Sequence, residues 1–328
     1  MTLLLYFILF LVAAVFLYIC CEKLVKILIS ISSFLAIKEF IVAFFILAFA
    51  SALPNLFLGI SSALNGIPQL SLGDIIGNNL VALTLAVTLG VLFSKNKEIE
   101  TNSRTVQSTT FFTLVAALLP LILIFDHQLS RADGLILILS FLTYLFWLFS
   151  KKERYQKFYQ NEKEISKIDV TFKKFRIFIK NILILLVLIV AIFIVSQFIV
   201  FSAQLITKQL GISLIFFGLI VTGLANAMPE IYFAINTAKQ EENWMVLGNL
   251  MGSIIFPATL ILGLIALIHP IDIIDISSIS LARFFMIGAL IFFFIFIQTN
   301  KKISKKEAIF LLIIFALYIF FELLKNIF

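Results

Sequence analysis

The chain has 328 residues, of which 62% are hydrophobic, 13% are charged and 38 are phenylalanine. A soluble core does not need so much apolar surface, so the composition excludes a soluble globular protein and indicates that lipid is the main solvent. The net charge of +7 does not indicate a nucleic-acid partner, because the Lys and Arg lie between apolar runs without any nucleic-acid motif.

Ten apolar runs follow one another along the chain. They lie at 3–21, 39–64, 69–93, 107–125, 132–150, 177–203, 210–238, 244–268, 279–298 and 308–324. Each is close to the ~20 residues that a bilayer requires, and in lipid the backbone groups of such a run must be paired within it. We therefore predict an all-α integral membrane protein with ten transmembrane helices. The first run has no basic stretch before it and no cleavage site after it, so we expect a retained helix.

The basic residues predict the orientation of these helices. With the N-terminus outside, the cytoplasmic loops hold nearly all Lys and Arg, and the other side keeps only Arg131, Lys208, Arg283 and Lys325. We expect a multi-pass protein of the cell membrane with both termini outside. The polar stretch 151–176 is then a cytoplasmic linker between two five-helix halves, 1–150 and 177–328.

The two halves share a sequence repeat. When Ala50 is aligned with Ala225, the prolines, glycines and a threonine also coincide: Pro54 with Pro229, Gly73 with Gly248, Gly77 with Gly252, and Thr84 with Thr259. Because an odd number of spans separates equivalent positions, the copies must cross the membrane in opposite senses. We therefore predict an inverted-topology repeat with motif regions at 48–90 and 223–265. Many secondary transporters bind their solute where two such copies meet near the bilayer midplane.

The repeat brings oxygen atoms together. Each proline releases the carbonyl four residues earlier, and polar residues lie one turn apart beside it. The glycines of the second helix allow close backbone approach, which brings further polar side chains into range. The predicted cation ligands are Glu230, Asn55, Asn78, Ser253, Ser51, Asn226 and Asp74, with the carbonyls of Ala50 and Ala225. Such oxygens suit hard cations such as Na+, Ca2+ or Mg2+.

A packing role is the alternative interpretation, since prolines and small residues shape many membrane bundles without forming a site. Glu230 favours a site, because an ionisable residue deep in a span costs at least ~2.5 kcal/mol on insertion scales.

The motifs resemble the alpha repeats of the cation/calcium antiporter superfamily, the sodium/calcium exchangers, which read approximately Gly-Thr-Ser-x-Pro-Glu and then Gly-Asn-x-x-Gly-Ser-Asn-Ile-x-Asn or Asp. The resemblance implies ten helices in two inverted repeats, a central cytoplasmic loop, and exchange of a cation, Ca2+ by default, for Na+ or H+ by alternating access. It also implies a glutamate after each proline. The second copy has Glu230 there, whereas the first has Asn55. At the last ligand position of the family this chain has Ala82 and Pro257, which offer no side-chain oxygen.

These departures leave several functions open. With one expected carboxylate missing, Na+ or H+ suits the site better than tightly bound Ca2+. Asp74, one turn before Asn78, is our hypothesis for a displaced acidic partner of Glu230. The alternatives are Na+/H+ or other monovalent-cation transport, and a non-transporting exchanger-fold protein with a depleted site.

We do not expect an enzyme or a cofactor. The sequence has no zinc-protease His-Glu-x-x-His motif, no nucleophile elbow and no phosphate-binding loop ending in Gly-Lys-Ser or Gly-Lys-Thr. The expected partners are inorganic cations and the lipid bilayer.

Overall fold

The computed structural model describes residues 2–34, 39–101, 104–150, 172–240, 243–273, 276–299 and 301–327. Nearly all of these residues are helical, which confirms the predicted all-α class. The helices are α1 (Thr2–Phe34), α2 (Glu39–Leu64), α3 (Gln69–Val81), α4 (Val87–Phe93), α5 (Arg104–Leu123), α6 (Arg131–Ser150), α7 (Phe172–Leu210), α8 (Leu214–Phe217), α9 (Gly223–Asn226), α10 (Met228–Lys239), α11 (Asn243–Phe256), α12 (Leu262–Ile268), α13 (Ile276–Thr299) and α14 (Lys305–Ile327).

Short elements interrupt or connect these helices. The π-helical turns π1 (Ala82–Ala86), π2 (Gly218–Thr222) and π3 (Pro257–Ile261) lie inside membrane helices, and a 3-10 turn covers Ile124–Asp126. The strands are β1 (Glu98–Glu100), β2 (Gln128–Leu129), β3 (Ile271–Asp272) and β4 (Lys302–Ser304).

Nine helical segments within the described ranges are long and apolar enough to cross a membrane. They are Leu3–Leu24, Gln69–Phe93, Val106–Asp126, Arg131–Leu148, Ile179–Leu210, Leu214–Lys239, Val246–Ile268, Ile276–Thr299 and Lys305–Lys325. They coincide with nine of the predicted spans. The remaining predicted span, 39–64, coincides with α2. Within α2 the apolar stretch found among the described residues is Ala52–Leu64, which is shorter than the other nine. The protein is thus an all-helical multi-pass membrane protein, and the count of ten spans stays a prediction.

The predicted linker lies largely outside the described residues, which resume after 171. Helix α7 already begins at Phe172, inside the predicted linker boundary at 176. It has 39 residues and packs along α1, which has 33. The division into 1–150, 151–176 and 177–328 stays a prediction.

The sequence repeat extends to local helix geometry. Under the repeat alignment, π1 and π3 occupy equivalent positions in the two halves. In π1 the hydroxyl of Thr84 donates to the carbonyl of Leu80 at 2.5 Å, and in π3 Thr259 donates to Ile255 at 2.5 Å. Turns of this kind are frequent at functional sites. The two motif regions therefore share this π-helical turn and its threonine hydrogen bond.

Two antiparallel strand pairs join loops of the first half to loops of the second. β1 pairs with β4, and β2 pairs with β3. Beside each pair a left-handed residue, Lys301 with φ 52° or His127 with φ 67°, turns its carbonyl toward the partner loop. The backbone N–H of Thr101 donates to Lys301 at 2.7 Å, and that of Ile273 donates to His127 at 2.9 Å. The halves are thus connected at both ends of helix α5.

The buried apolar side chains of the described residues form two clusters. The larger one fills the space among α3 to α6 and α10 to α14. The smaller one joins α1 and α7 to one face of α2 and to α8, where the rings of Phe10 and Phe217 meet edge to face at 5.3 Å. α1 and α7 therefore form a layer beside the main bundle.

Two polar contacts tie this layer to α2. The hydroxyl oxygens of Ser61 and Ser196 lie 2.6 Å apart in a buried position. The amide nitrogen of Asn65 donates to the side-chain oxygen of Gln197 at 2.6 Å. Both partners from the layer, Ser196 and Gln197, belong to α7.

Glycines bring α3 of the first half into backbone contact with π2 and α9 of the second half. A Cβ added to Gly77 would lie 2.1 Å from the carbonyl oxygen of Leu219, and one on Gly73 would lie 2.4 Å from that of Ile215. Facing them, a Cβ on Gly218 would lie 2.4 Å from the Leu70 carbonyl. The close approach predicted for the first copy's glycines is therefore confirmed.

The second copy does not show the same contact within the described ranges. No atom there lies within 4 Å of the position that a Cβ on Gly248 would take. The prediction of close approach at the second copy's glycines is therefore not confirmed for Gly248, and for Gly252 it stays a prediction.

The glycine contact makes a testable prediction. Gly77→Ala is expected to lower the free energy of unfolding by about 1–3 kcal/mol, because backbone atoms of Leu219 would have to move. Gly288→Ala is the matched control, since nothing within 4 Å would meet its Cβ and alanine favours a helix by about 1 kcal/mol. Thermal unfolding in detergent measures both. Equal melting temperatures for the two variants would contradict the assigned contact.

Candidate cation-binding site

The two repeat prolines lie in different helical settings. Pro54 lies inside the continuous helix α2, whereas Pro229 lies in the first turn of α10, after a break at Ala227 with φ −80° and ψ −8°. In a first turn the missing N–H of proline costs nothing, because that position has no helical acceptor. The N–H of Ala227 bonds the Gly223 carbonyl at 3.1 Å and is also directed at the carbonyl of Ala225. Since Pro229 has no N–H to offer the Ala225 carbonyl and the Ala227 N–H bonds Gly223, the assignment of the Ala225 carbonyl as a ligand stays a prediction.

Ala50 and Ser51 belong to α2, but their side chains lie outside the described part of the structure. The assignments of Ser51 and of the Ala50 carbonyl as ligands stay predictions.

Asp74 lies at the glycine contact between the two halves. Its side chain is completely buried, and its Oδ1 accepts a hydrogen bond from Nδ2 of Asn226 at 2.8 Å. The hydroxyl of Thr222 also lies within hydrogen-bonding reach of this carboxylate, and it contacts the Gly218 carbonyl at 3.1 Å. The structure therefore brings together Asp74 and Asn226, two of the predicted ligands.

Thr222 was missed from the sequence. It precedes Asn226 by one helical turn and so shares its face, which was the available signal.

Glu230 is the second buried acid. It is 1% exposed, and it lies close enough to Asp74 for the two carboxylates to interact electrostatically. Its Oε2 and the Oδ2 of Asp74 have no hydrogen-bond partner among the described residues. Both acids are thus buried, and their pairing at one site stays a prediction.

Further amide and hydroxyl groups are buried in α2, α3 and α11. Asn55 is 2% exposed, and the amide oxygens of Asn55, Asn78 and Asn79 have no partner in the described ranges. Asn78 lies at the glycine contact, since its backbone nitrogen would lie 2.8 Å from a Cβ on Gly223. Ser253 is buried, and its hydroxyl donates to the Leu250 carbonyl at 3.0 Å. The sequence analysis did not single out Asn79, although it occupies the asparagine position that follows Gly-Ser in the family motif.

A cavity of about 50 Å³ adjoins this group. Pro54 and Pro229 both line it, together with Thr222, Asn226 and Ala225, so the proline segments of both copies meet there. The opposite wall comes from α1 and α7 and includes Phe10, Leu17 and Ile199. A space of this size can hold a water molecule or a small ion.

The donor set has a clear chemical character. No cluster of three or more acidic, His or Cys side chains occurs in the part of the chain that the structure describes. Two carboxylates with amide and hydroxyl oxygens are what a hard cation binds, whereas soft metals prefer thiolate and imidazole.

Comparison with known proteins agrees with this geometry. Residues 5–150 and 180–324 match the family model for the sodium/calcium exchanger protein. The sodium/calcium exchanger MaX1 of Methanosarcina acetivorans is 23% identical over 343 residues, which cover 95% of this chain and 97% of that protein. The fold is similar to that of the sodium-calcium exchanger NCX_Mj, with a TM-score of 0.61, 20% identity, and coverage of 97% of this chain and 98% of that one.

The crystal structure of the H+/Ca2+ exchanger CAX is also similar, with a TM-score of 0.70, 18% identity, and coverage of 97% of this chain and 86% of that one. These structures share the fold, and the family model covers both halves of the sequence together with both motif regions. This chain belongs to the sodium/calcium exchanger family.

Proposed function

We propose that this protein is a secondary antiporter that exchanges a cation, Ca2+ in the first instance, for Na+ or H+. The observation that carries the proposal is the pair of buried carboxylates, Asp74 and Glu230, one from each half of the chain. No Lys or Arg among the described residues forms an ion pair with either of them. In a low-dielectric interior two such carboxylates are stable only with bound cations or protons.

The proposed ligands surround this pair. The free oxygens of Asp74 and Glu230 supply the charge, and the amide oxygens of Asn55 and Asn78 complete the shell. Asn226 holds Asp74 in place through its hydrogen bond. Ser51, Ser253 and the carbonyls of Ala50 and Ala225 remain proposed additional ligands.

Binding of Ca2+ at this site would require the carboxylate of Asp74, the displaced acid. The family's first glutamate position is Asn55 here, and Asp74 restores a second carboxylate from a neighbouring helix. With both acids ionised, the two charges of Ca2+ are offset, which a single carboxylate in a dry site cannot achieve.

Transport of Na+ or another monovalent cation in exchange for H+ is the second candidate. The hydrogen bond from Asn226 occupies one oxygen of Asp74, which prevents this carboxylate from supplying both of its oxygens to Ca2+, an ion that takes six to eight oxygen ligands. A non-transporting exchanger-fold protein is the third candidate. Ala82 and Pro257, the first residues of π1 and π3, lack the side-chain oxygens that the family resemblance implies there.

Alternating access of the two repeats around this site would couple the two ion fluxes, with an ion gradient as the driving force. We place the protein in the cell membrane with both termini outside, because nearly all Lys and Arg then lie on the cytoplasmic side.

The first test is flux in liposomes with imposed Na+, H+ and Ca2+ gradients. Glu230→Gln is expected to reduce exchange to background, because the remaining charge cannot balance the ion. Asp74→Asn is expected to weaken apparent cation affinity by roughly tenfold or more, since interactions with a charged group contribute ~1.5–3 kcal/mol. Flux is compared at several concentrations of each cation.

Glu100→Gln is the control, because it removes an exposed carboxylate in strand β1. Its flux should equal that of the parent protein. If Asp74→Asn transports with unchanged rate and ion selectivity, the displaced acid pair is wrong. If the parent moves no cation under any gradient, the antiporter proposal itself fails.

A second prediction concerns the bond between Asp74 and Asn226. Asn226→Ala is expected to lower the free energy of unfolding by about 1–3 kcal/mol, because the buried Oδ1 loses its donor. A double-mutant cycle with Asp74→Asn should give a coupling energy of about 0.5–3 kcal/mol, whereas Asn226→Ala with Glu100→Gln should be additive within ~0.5 kcal/mol. Denaturation in detergent without added divalent cation measures both. Additivity in the first cycle would contradict the hydrogen bond.

A further inference from the structure

An open groove lies between the start of α13 and the end of α14, away from the cation site. It has a volume of about 650 Å³, and its lining includes Ser280, Phe284, Phe321, Leu324 and Lys325. Phe284 is 73% exposed and Phe321 is 47% exposed. The groove thus has hydroxyl and ammonium groups together with apolar walls, on helices that are apolar enough to cross a membrane.

Two cations lie on these helices, and they differ in their protein partners. Lys325 lines the groove, whereas Arg283 lies outside it, next in the chain to the lining residue Phe284. Lys325 donates to the hydroxyl of Ser278 at 2.7 Å and lies 3.8 Å from the carboxylate of the buried Glu322. Its charge is therefore offset within the protein.

Arg283 has no such compensation among the described residues. Its guanidinium lies over the ring of Phe125 at 4.3 Å from the centroid and reaches only the carbonyl of Ile124, at 3.5 Å. No described carboxylate forms an ion pair with it, and its Nε is buried without a hydrogen-bond partner. Since a guanidinium has five donors, most of its hydrogen-bonding capacity is unused.

The position of Arg283 indicates which kind of ligand its remaining hydrogen-bond donors could bind. It lies on α13 seven residues after Ile276, roughly 10 Å along the helix at 1.5 Å per residue. It is flanked by two exposed rings, Phe125 at 63% and its chain neighbour Phe284 at 73%. A cation at such a depth reaches toward the lipid headgroups, where phosphate is the available anion.

We propose that the surface of α13 at Arg283 and Phe284, together with the groove that Phe284 lines, binds an anionic phospholipid. The guanidinium holds the lipid phosphate through paired N–H donors, and an acyl chain lies along Phe284 and Phe321. A soluble anion could bind the guanidinium but would make no contact with the apolar walls of the groove. A zwitterionic lipid would bring a positive group toward a cation that has no described carboxylate beside it.

The test counts lipid bound to the full chain by native mass spectrometry, in micelles that contain phosphatidylcholine and increasing phosphatidylglycerol. Arg283→Gln is expected to weaken phosphatidylglycerol binding by about fivefold, the contribution of one basic residue near an anionic lipid surface. Arg283→Lys should retain part of the preference. Arg131→Gln is the matched control, because Arg131 is an exposed arginine at the start of α6, on the same predicted side. It should bind like the parent protein.

A second measurement keeps Arg283 intact, in case its substitution prevents folding. Phe284→Trp places a fluorophore on the groove, and brominated phosphatidylglycerol should quench it at a lower mole fraction than brominated phosphatidylcholine does. Equal quenching by the two lipids, or equal phosphatidylglycerol binding by the parent and Arg283→Gln, would overturn the proposal. A dimer that disappears in Arg283→Gln while lipid binding is unchanged would instead identify this face as an interface between copies.

Discussion

The structure depends on one close backbone contact, between α3 of the first half and the segment π2–α9 of the second. Glycines on both sides make it possible, because a Cβ on Gly218 would lie 2.9 Å from the backbone nitrogen of Asp74, and one on Gly223 would lie 2.8 Å from that of Asn78. Side chains at these positions would push α3 away. The 2.8 Å hydrogen bond from Asn226 to Asp74 could not then form. The contact therefore fixes the distance between the polar groups that the two halves contribute.

That contact also explains how an acid can occupy so dry a position. Asp74 is fully buried, yet Asn226 donates to one of its oxygens and Thr222 lies within reach. Burying a carboxylate without donors is strongly unfavourable, and each neutral donor offsets part of that cost without cancelling the charge. The negative charge remains available to an ion. The neutral donor Asn226 thus holds Asp74 in place, whereas a lysine or arginine would have neutralised it.

Sequence patterns predicted much of this arrangement. Apolar runs predicted nine observed spans, and the spacing of Gly73 and Gly77 predicted the close approach, because hydrophobicity and side-chain size act locally. The π-helical turns, the strand pairs and the role of Thr222 could not be predicted, since they depend on neighbours that are distant in the sequence. Pro54 and Pro229 illustrate the limit. The same motif gives a continuous helix in one half and a break in the other, because proline is tolerated at a kink or in a first turn.

The helices around the cavity contribute different kinds of side chain to its walls. Every predicted ligand comes from α2, α3, α9, α10 or α11, and two of them, Ala225 and Asn226, line the cavity. α1 and α7 contribute no predicted ligand, and their side chains that line the cavity are apolar except for Tyr18. Because a mainly apolar wall lowers the local dielectric, it strengthens the attraction between a cation beside Asn226 and the carboxylate of Asp74, to which Asn226 donates. The layer formed by α1 and α7 thus acts on the site through the exclusion of water, and its polar ties to α2, which include Ser61 with Ser196, involve none of the predicted ligands.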